Sequence, residues 1–339
     1  MKQITLLLDS RSFGGIETHV GGLASALHRR GLEAQVTFLK DYGSHPLEVK
    51  LVDDNIPYHK CSSLLSLIVH LSKNRPAVLH THGYKAGIIG RIVATILLIP
   101  VVSTYHSGDP GTGLVWLYNR VDQWTAGLSK AISVSADISN SLPIPSALIS
   151  SFVEIKPQNR SFGSNCIAFV GRLSYEKGPD LFCEIASRLP AGTAEIFGDG
   201  PMRAELEDRY GHHIKFHGSV TSMDAHWLEI DLLCMTSRQE GMPLAALEAM
   251  STGLPVAAFN VGGLGDLINH NVNGFLAEPE ELSEMTTILS EFRNTPQPVR
   301  QNLSVNAIDT IERSYPEKTL LDGILGVYRE AGYQMPVVA

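Results

Sequence analysis

Two carboxylates separated by seven residues, Glu240 and Glu248, carry the strongest chemical signal in the chain. They lie in the stretch Ser237-Arg238-Gln239-Glu240-Gly241-Met242-Pro243-Leu244-Ala245-Ala246-Leu247-Glu248-Ala249-Met250. Gly241 and Pro243 interrupt the backbone just after the first glutamate. Leu244 to Met250 consists of helix formers, and Gly253-Leu254-Pro255 ends the run. This pattern predicts Glu240 in a turn ahead of a helix and Glu248 inside that helix. The N–H groups of Gly241 and Met242 would then face one ligand together with Glu240, and Glu248 would point the same way one turn later. A helix N-terminus with open N–H groups suits an anion such as phosphate. A carboxylate beside it suits sugar hydroxyls, because ionised acceptors make strong bonds to O–H donors. A nucleotide-sugar site fits both. The same residues also fit a surface helix with a solvated Glu240 and a structurally paired Glu248.

Other candidate groups follow predicted strands. Arg172 and Lys177 stand five apart in a glycine-bounded loop, where two cations suit a diphosphate or are simply solvated. Gly14-Gly15, Gly198-Asp199-Gly200 and Gly262-Gly263 offer backbone that a phosphate could approach closely, or merely tight turns. His80, His82 and His106 also come at strand ends. The first two read more readily as structural hydrogen-bonding groups, and His106 has small neighbours that leave room for a ligand. No D-x-D motif occurs and no Cys/His ligand spacing, so neither a diphosphate-bridging metal nor zinc is expected.

The elements that must position these groups alternate along the chain. Ile4 to Asp9 reads as a buried strand, Gly14 to His19 as a loop, Val20 to Arg30 as a helix and Ala34 to Leu39 as a strand. Helices over 64–73, 85–98 and 114–128 alternate with strands over 77–80, 101–105 and 131–135. The polar stretch Lys156 to Asn165 is the candidate linker. The second half restarts the alternation at Cys166 to Val170 and ends in a helix from Pro316 to Ala331. Such order is that of doubly wound α/β domains, whose ligands bind at the carboxyl ends of the strands.

Length and charge set outer bounds. A chain of 339 residues suggests two domains. Residues 1–155 hold 13 Lys+Arg against 11 Asp+Glu, and the remainder 14 against 24. The acidic second half argues against nucleic acid. The near-neutral first half is compatible with peripheral contact to a membrane or with an anionic acceptor. Cys61, Cys166, Cys183 and Cys234 are widely spaced and read as reduced thiols. The apolar run at the N-terminus is too short for a signal-peptide core, and Ile88 to Val102 is broken by Arg91 and Pro100. A cytoplasmic chain is expected, with membrane association left open.

Taken together, Gly14-Gly15-Ile16-Glu17, Gly171-Arg172 with Glu176-Lys177-Gly178, Gly198-Asp199-Gly200-Pro201, and Glu240-x7-Glu248 resemble the retaining glycosyltransferases of family 4. The resemblance covers nearly the whole chain and is most specific over 166–275. It implies the α/β GT-B fold, two Rossmann-like doubly wound domains facing across a cleft. Residues 1–155 would form the acceptor-side domain and 164–315 the nucleotide-sugar domain, with a last helix, 316–333, crossing back. Arg172 and Lys177 would hold the donor diphosphate, Glu240 the donor sugar and Glu248 the ribose, with His106 near the donor sugar. Gly14, Gly15, Gly198, Gly241, Met242, Pro243 and Leu244 would line the donor. The implied reaction passes a hexose from a nucleoside diphosphate sugar to a hydroxyl of a sugar, lipid-linked or small-molecule acceptor, as in polysaccharide assembly. No metal or further cofactor is implied.

Two departures stand out. Ser150-Ser151-Phe152-Val153 replaces a common Asn-Gly near the interdomain hinge, and Gly265-Asp266 replaces a common Pro-Glu. Neither removes a central group. A nucleotide-sugar epimerase or a catalytically silent GT-B binding subunit are the rival readings. The four charged residues Arg172, Lys177, Glu240 and Glu248 count against the silent one.

Overall fold

The protein is represented by a computed structural model, which describes residues 3–11, 13–106, 114–155, 160–220, 222–241 and 243–334. The chain divides into two compact units, Met1–Phe152 with Glu317–Ala339, and Val153–Pro316. The split falls just ahead of the polar stretch 156–165, of which 156–159 lie outside the described residues.

Unit 1 is built on seven parallel strands: β1 (Ile4–Leu8), β2 (Ala34–Phe38), β3 (Tyr58–Lys60), β4 (Val78–His82), β5 (Val101–Tyr105), β6 (Lys130–Ser133) and β7 (Ser146–Leu148). Their spatial order is β3-β2-β1-β4-β5-β6-β7. The central strands β1, β4 and β5 are buried along their whole length, and β1 accordingly reads as a nearly unbroken apolar run. Helices α1 (Gly15–Arg29), α2 (Pro46–Asp53), α3 (Leu64–Lys73), α4 (Tyr84–Leu97), α5 (Leu114–Thr125) and α6 (Ala136–Ser141) connect them. In α1, Val20, Leu23, Ala24 and Leu27 recur at helical spacing and enter the core.

Unit 2 has six parallel strands: β8 (Ile167–Val170), β9 (Ala194–Phe197), β10 (Lys215–Gly218), β11 (Leu232–Met235), β12 (Val256–Phe259) and β13 (Gly274–Ala277). Their order, β10-β9-β8-β11-β12-β13, repeats that of unit 1. Helices α7 (Pro179–Ala186), α8 (Arg203–Tyr210), α9 (Leu244–Ser251), α10 (Gly263–Leu267), α11 (Leu282–Asn294) and α12 (Gln297–Ser314) complete it. The last helix, α13 (Glu317–Glu330), belongs to unit 1, where Leu321, Ile324, Leu325 and Tyr328 join the core under β1 and β4. Both units are therefore doubly wound α/β sheets, the class that the resemblance implies.

Several elements depart from the periodicity-based reading. The segment read as a loop from Gly14 to His19 is largely helix: α1 begins at Gly15, with Gly14 as its N-cap. Glycines hide a helical first turn because they carry no apolar period. The short strand β3 and the helix α2 carry little apolar pattern and are not expected from the sequence as elements. The 18-residue α12 was not expected either. It is anchored by a buried arginine, Arg300, which meets Asp231 at 3.2 Å and donates to the carbonyls of Phe292 and Arg293.

Candidate active site

In an open sheet the crevice for a ligand lies where the strand order reverses, outside the carboxyl ends of the strands. In unit 2 that point is between β8 and β11. The loop after β8 carries Arg172 and Lys177, and the loop after β11 carries Ser237 to Gly241. Two groups that the sequence presents 63 residues apart meet here. Lys177 Nζ donates to Glu240 at 2.7 Å from Oε1 and 2.8 Å from Oε2. Ser237 Oγ donates to Oε2 at 3.0 Å. The Glu240 side chain is only 5% exposed, against 31% for Lys177. The carboxylate is therefore held by a cation and a hydroxyl, with its ammonium partner still reachable by solvent.

The turn that holds Glu240 depends on the next loop. Gly262 has φ +50°, and a Cβ there would stand 1.8 Å from the Glu240 carbonyl oxygen. No side chain fits so close to backbone. Gly263 N–H donates to the Gly241 carbonyl at 3.1 Å, tying the two loops together. Of the two readings open for Gly262-Gly263, the packing favours the tight turn, which shapes the backbone that holds Glu240. Gly198 behaves alike. Its φ is +143°, a Cβ would lie 1.9 Å from the Gly171 carbonyl oxygen, and its N–H already donates to Gly218 at 2.8 Å. It braces the Arg172 loop and does not offer an open N–H.

Beyond this turn, Pro243 caps α9, Leu244 opens it, and both are buried. Pro243 O accepts from Ala246 and Leu247, which leaves the first turn's earlier N–H groups outside the helix ladder. Glu248 lies one turn in and is half-buried. Arg172 is exposed just past β8. Met242 lies outside the described residues. Arg238, which no sequence motif singles out, links the two loops: it donates to Asp180 at 2.7 and 2.9 Å and lies 4.1 Å over the Tyr175 ring.

In unit 1 the strand order reverses between β1 and β4. Gly14 and Gly15, both exposed, open α1 after β1. His82 ends β4, and His106 follows β5. Three imidazoles gather there. His82 Nδ1 lies 3.2 Å from His106 Nε2, and the His19 and His106 rings stand 4.7 Å apart, edge to face. His19 Nδ1 pairs with Ser151 Oγ at 3.1 Å. Spacing along the chain could not reveal this cluster, since its members come from α1, β4 and the turn after β5. His80 stands apart in role. Its two nitrogens pair with Tyr328 of α13 and with Thr104, each at 2.7 Å, which makes it a satisfied core group. Burial drives all four imidazoles towards the neutral form: His19 is pulled down to about 4, and His80, His82 and His106 well below the usual range.

Comparisons with known proteins match this architecture. A family described as Glycosyltransferase Family 4 matches residues 13–142, and one described as Glycosyl transferases group 1 matches residues 164–292. Among curated relatives, an Escherichia coli UDP-Gal:alpha-D-GlcNAc-diphosphoundecaprenol alpha-1,3-galactosyltransferase is 28% identical over 78% of this chain and 78% of its own. The sulfoquinovosyl transferase SQD2 of Arabidopsis thaliana is 25% identical over 66% of this chain, which spans about half (51%) of that protein. Among solved structures, Anabaena Alr3699/HepE in complex with UDP-glucose superposes with a TM-score of 0.83 at 20% identity, covering 97% of this chain and 100% of the other.

Proposed function

The chain belongs to the family 4 glycosyltransferases, and from that premise we propose that it is a retaining enzyme that moves a hexose from a UDP- or GDP-sugar to an acceptor hydroxyl in glycan assembly. The observation that carries this reading is the Lys177–Glu240 pair at the strand-order reversal of unit 2, beside the N-terminus of α9. A departing diphosphate develops negative charge, and stabilising that charge is the main electrostatic task of such a transfer. Lys177 and Arg172 supply the cations, and the first turn of α9 supplies N–H groups. Glu240 accepts from hydroxyls of the donor sugar and Glu248 from those of the ribose. In unit 1, His106, Gly14 and Gly15 are the residues that we propose contact the donor. The leaving phosphate oxygen takes the acceptor proton on the same face of the sugar, so no protein base is assigned.

With its counter-charge drawn from side chains and backbone, the reaction runs without a divalent metal. The test is a donor screen with UDP-glucose, UDP-GlcNAc and GDP-mannose, followed by Glu240→Ala and Lys177→Ala on the donor that is used. Each variant should lose about 10²–10³-fold in turnover while its circular dichroism stays native. EDTA should leave the wild-type rate unchanged. Near-native turnover in both variants, or a rate that collapses in EDTA, would sink the assignment.

For the acceptor side the proposal is a lipid-linked hydroxyl, with unit 1 working against an anionic bilayer from the cytoplasmic face. What supports it is the outer surface of α4 and α5, which pack side by side. Ile96, Leu98 and Trp124 are 72%, 79% and 78% exposed. Cations lie among them: Arg75 donates to the Leu98 carbonyl at 2.7 Å, and Arg120 sits 5.9 Å over the Trp116 ring. Exposed tryptophan with flanking Arg and Lys suits a headgroup interface. Among the described residues no helix is long and apolar enough to cross a membrane. All four cysteines are free, buried thiols, in keeping with a reducing compartment. The protein should sediment with phosphatidylglycerol vesicles, and the Ile96→Glu/Trp124→Glu double variant should stay in the supernatant. Equal sedimentation of both would remove the bilayer from this surface.

A further inference from the structure

Outside the donor-binding loops of unit 2, the most unusual chemistry in the molecule is the set of imidazoles at the carboxyl end of the unit 1 sheet. One nitrogen from each of His19, His82 and His106 lies within 4.8 Å of the other two. His82 Nδ1 and His106 Nε2 are 3.2 Å apart. That is close to the separation of roughly 3.4 Å expected for two nitrogens bound about 2.0–2.1 Å from one tetrahedral zinc.

Two further observations point to a ligand. His19 Nε2 is fully buried and has no hydrogen-bond partner among the described residues. Buried polar atoms are rarely left unpaired, so each such atom needs an explanation. Moreover, the other nitrogen of His19 is already occupied by Ser151 Oγ at 3.1 Å. When His19 donates Nδ1–H to that hydroxyl, Nε2 carries the lone pair and is the nitrogen left for a ligand. This is the outer-shell arrangement that orients metal-binding imidazoles. His80 shows the contrast. Its ring lies 4.2 Å from that of His82, tilted by 41°, but Tyr328 and Thr104 use both of its nitrogens, so it cannot join the ligand set.

We propose that His19, His82 and His106 form a three-imidazole site for a divalent transition-metal ion, zinc foremost, with a fourth position open to water or a ligand oxygen. Three neutral imidazoles match zinc, cobalt, nickel or copper; the hard, oxygen-seeking magnesium does not suit them. These three residues belong to unit 1, whereas the cations proposed for the donor diphosphate belong to unit 2. Its consequence for transfer rests on the role given above to His106. An ion bound there withdraws that imidazole, so zinc inhibits the enzyme.

The binding test needs no donor and no activity. Chelator-treated protein is titrated with Co²⁺ while visible d–d absorption is followed, and Zn²⁺ is then added in competition. One equivalent of cobalt should give a tetrahedral-type spectrum that zinc abolishes. The His19→Asn/His82→Asn double variant should lose that spectrum. A His59→Asn/His70→Asn variant, which removes a stacked pair elsewhere in unit 1, should keep it. If the first double variant proves unfolded by circular dichroism, Ser151→Ala serves in its place and should weaken cobalt binding about 10-fold or more. Absence of a d–d spectrum in the wild type, or an unchanged spectrum in the folded His19/His82 or Ser151 variant, overturns the site. Cobalt binding at the cluster without zinc inhibition of transfer would leave the site standing and overturn the role of His106.

Discussion

At the residue scale, neighbours set the meaning of each group. Glu240 alone could be a solvated surface carboxylate; with 5% of its side chain exposed and Lys177 and Ser237 on its oxygens, it is a positioned acceptor. The same holds for the imidazoles. His19, His80, His82 and His106 are neutral in the folded protein because burial penalises their charged forms, and the neighbouring rings of the cluster add to this for His80, His82 and His106. Their folded pKa values lie below the unfolded value of about 6.5. The unfolded chain therefore binds more protons as the pH drops, and stability is lost as pH falls below about 6.5 and on towards 4 for His19. Thermal melts should show a falling midpoint between pH 7 and pH 5, with His19 alone contributing on the order of 2 kcal/mol at most over that window. The His19→Asn variant should have a shallower slope over that window; an identical slope would refute the buried neutral imidazole.

At the element scale, legibility followed the amphipathic period. Helix α3 was read with its bounds intact because Ser63 caps it, its side chain accepting from Ser66 N–H at 3.2 Å, and Leu67 and Leu71 give it a buried face. Helix α1 was read five residues short, since its first turn is Gly15-Ile16-Glu17 and glycine carries no period. Strand β3 is a short, only partly buried piece at one edge of the sheet, so its residues carry no apolar run. The C-terminal helix was legible as a helix, but its contribution to the unit 1 core is a tertiary fact. Tyr328 is fully buried and bonds His80 Nδ1 at 2.7 Å. Tyr328→Phe keeps the packing and leaves that nitrogen unpaired, so urea denaturation should register a loss of about 1–3 kcal/mol. A variant as stable as the wild type would mean that His80 finds another partner.

At the scale of the whole molecule, one strand order is used twice. Each unit reverses direction between its first and fourth strands, and each gathers its polar groups at that point. In unit 2 these groups are cations and carboxylates suited to a nucleoside diphosphate. In unit 1 they are neutral imidazoles and an open helix start. Calorimetric titration with UDP and with GDP should give heat with at least one of them, and Lys177→Ala should weaken it. A ligand at 100 times its dissociation constant stabilises by about 2.7 kcal/mol, so the same nucleotide should raise the melting temperature. No heat with either nucleotide would return the chain to the class of silent binding subunits.

Sequence by itself determined the alternation of strands and helices, the doubly wound class, and the charged motif Arg172, Lys177, Glu240 and Glu248. These follow from local propensity, from apolar period and from glycine and proline punctuation, all of which act over a few residues. Tertiary structure alone decided which of these groups touch. It joined Lys177 to Glu240 across 63 positions, showed that Gly198 and Gly262 serve loop packing, and drew His19, His82 and His106 from three separate elements into one cluster. The physical reason is that parallel strands place their carboxyl ends side by side however far apart they lie in the chain, and no local signal records which end will neighbour which.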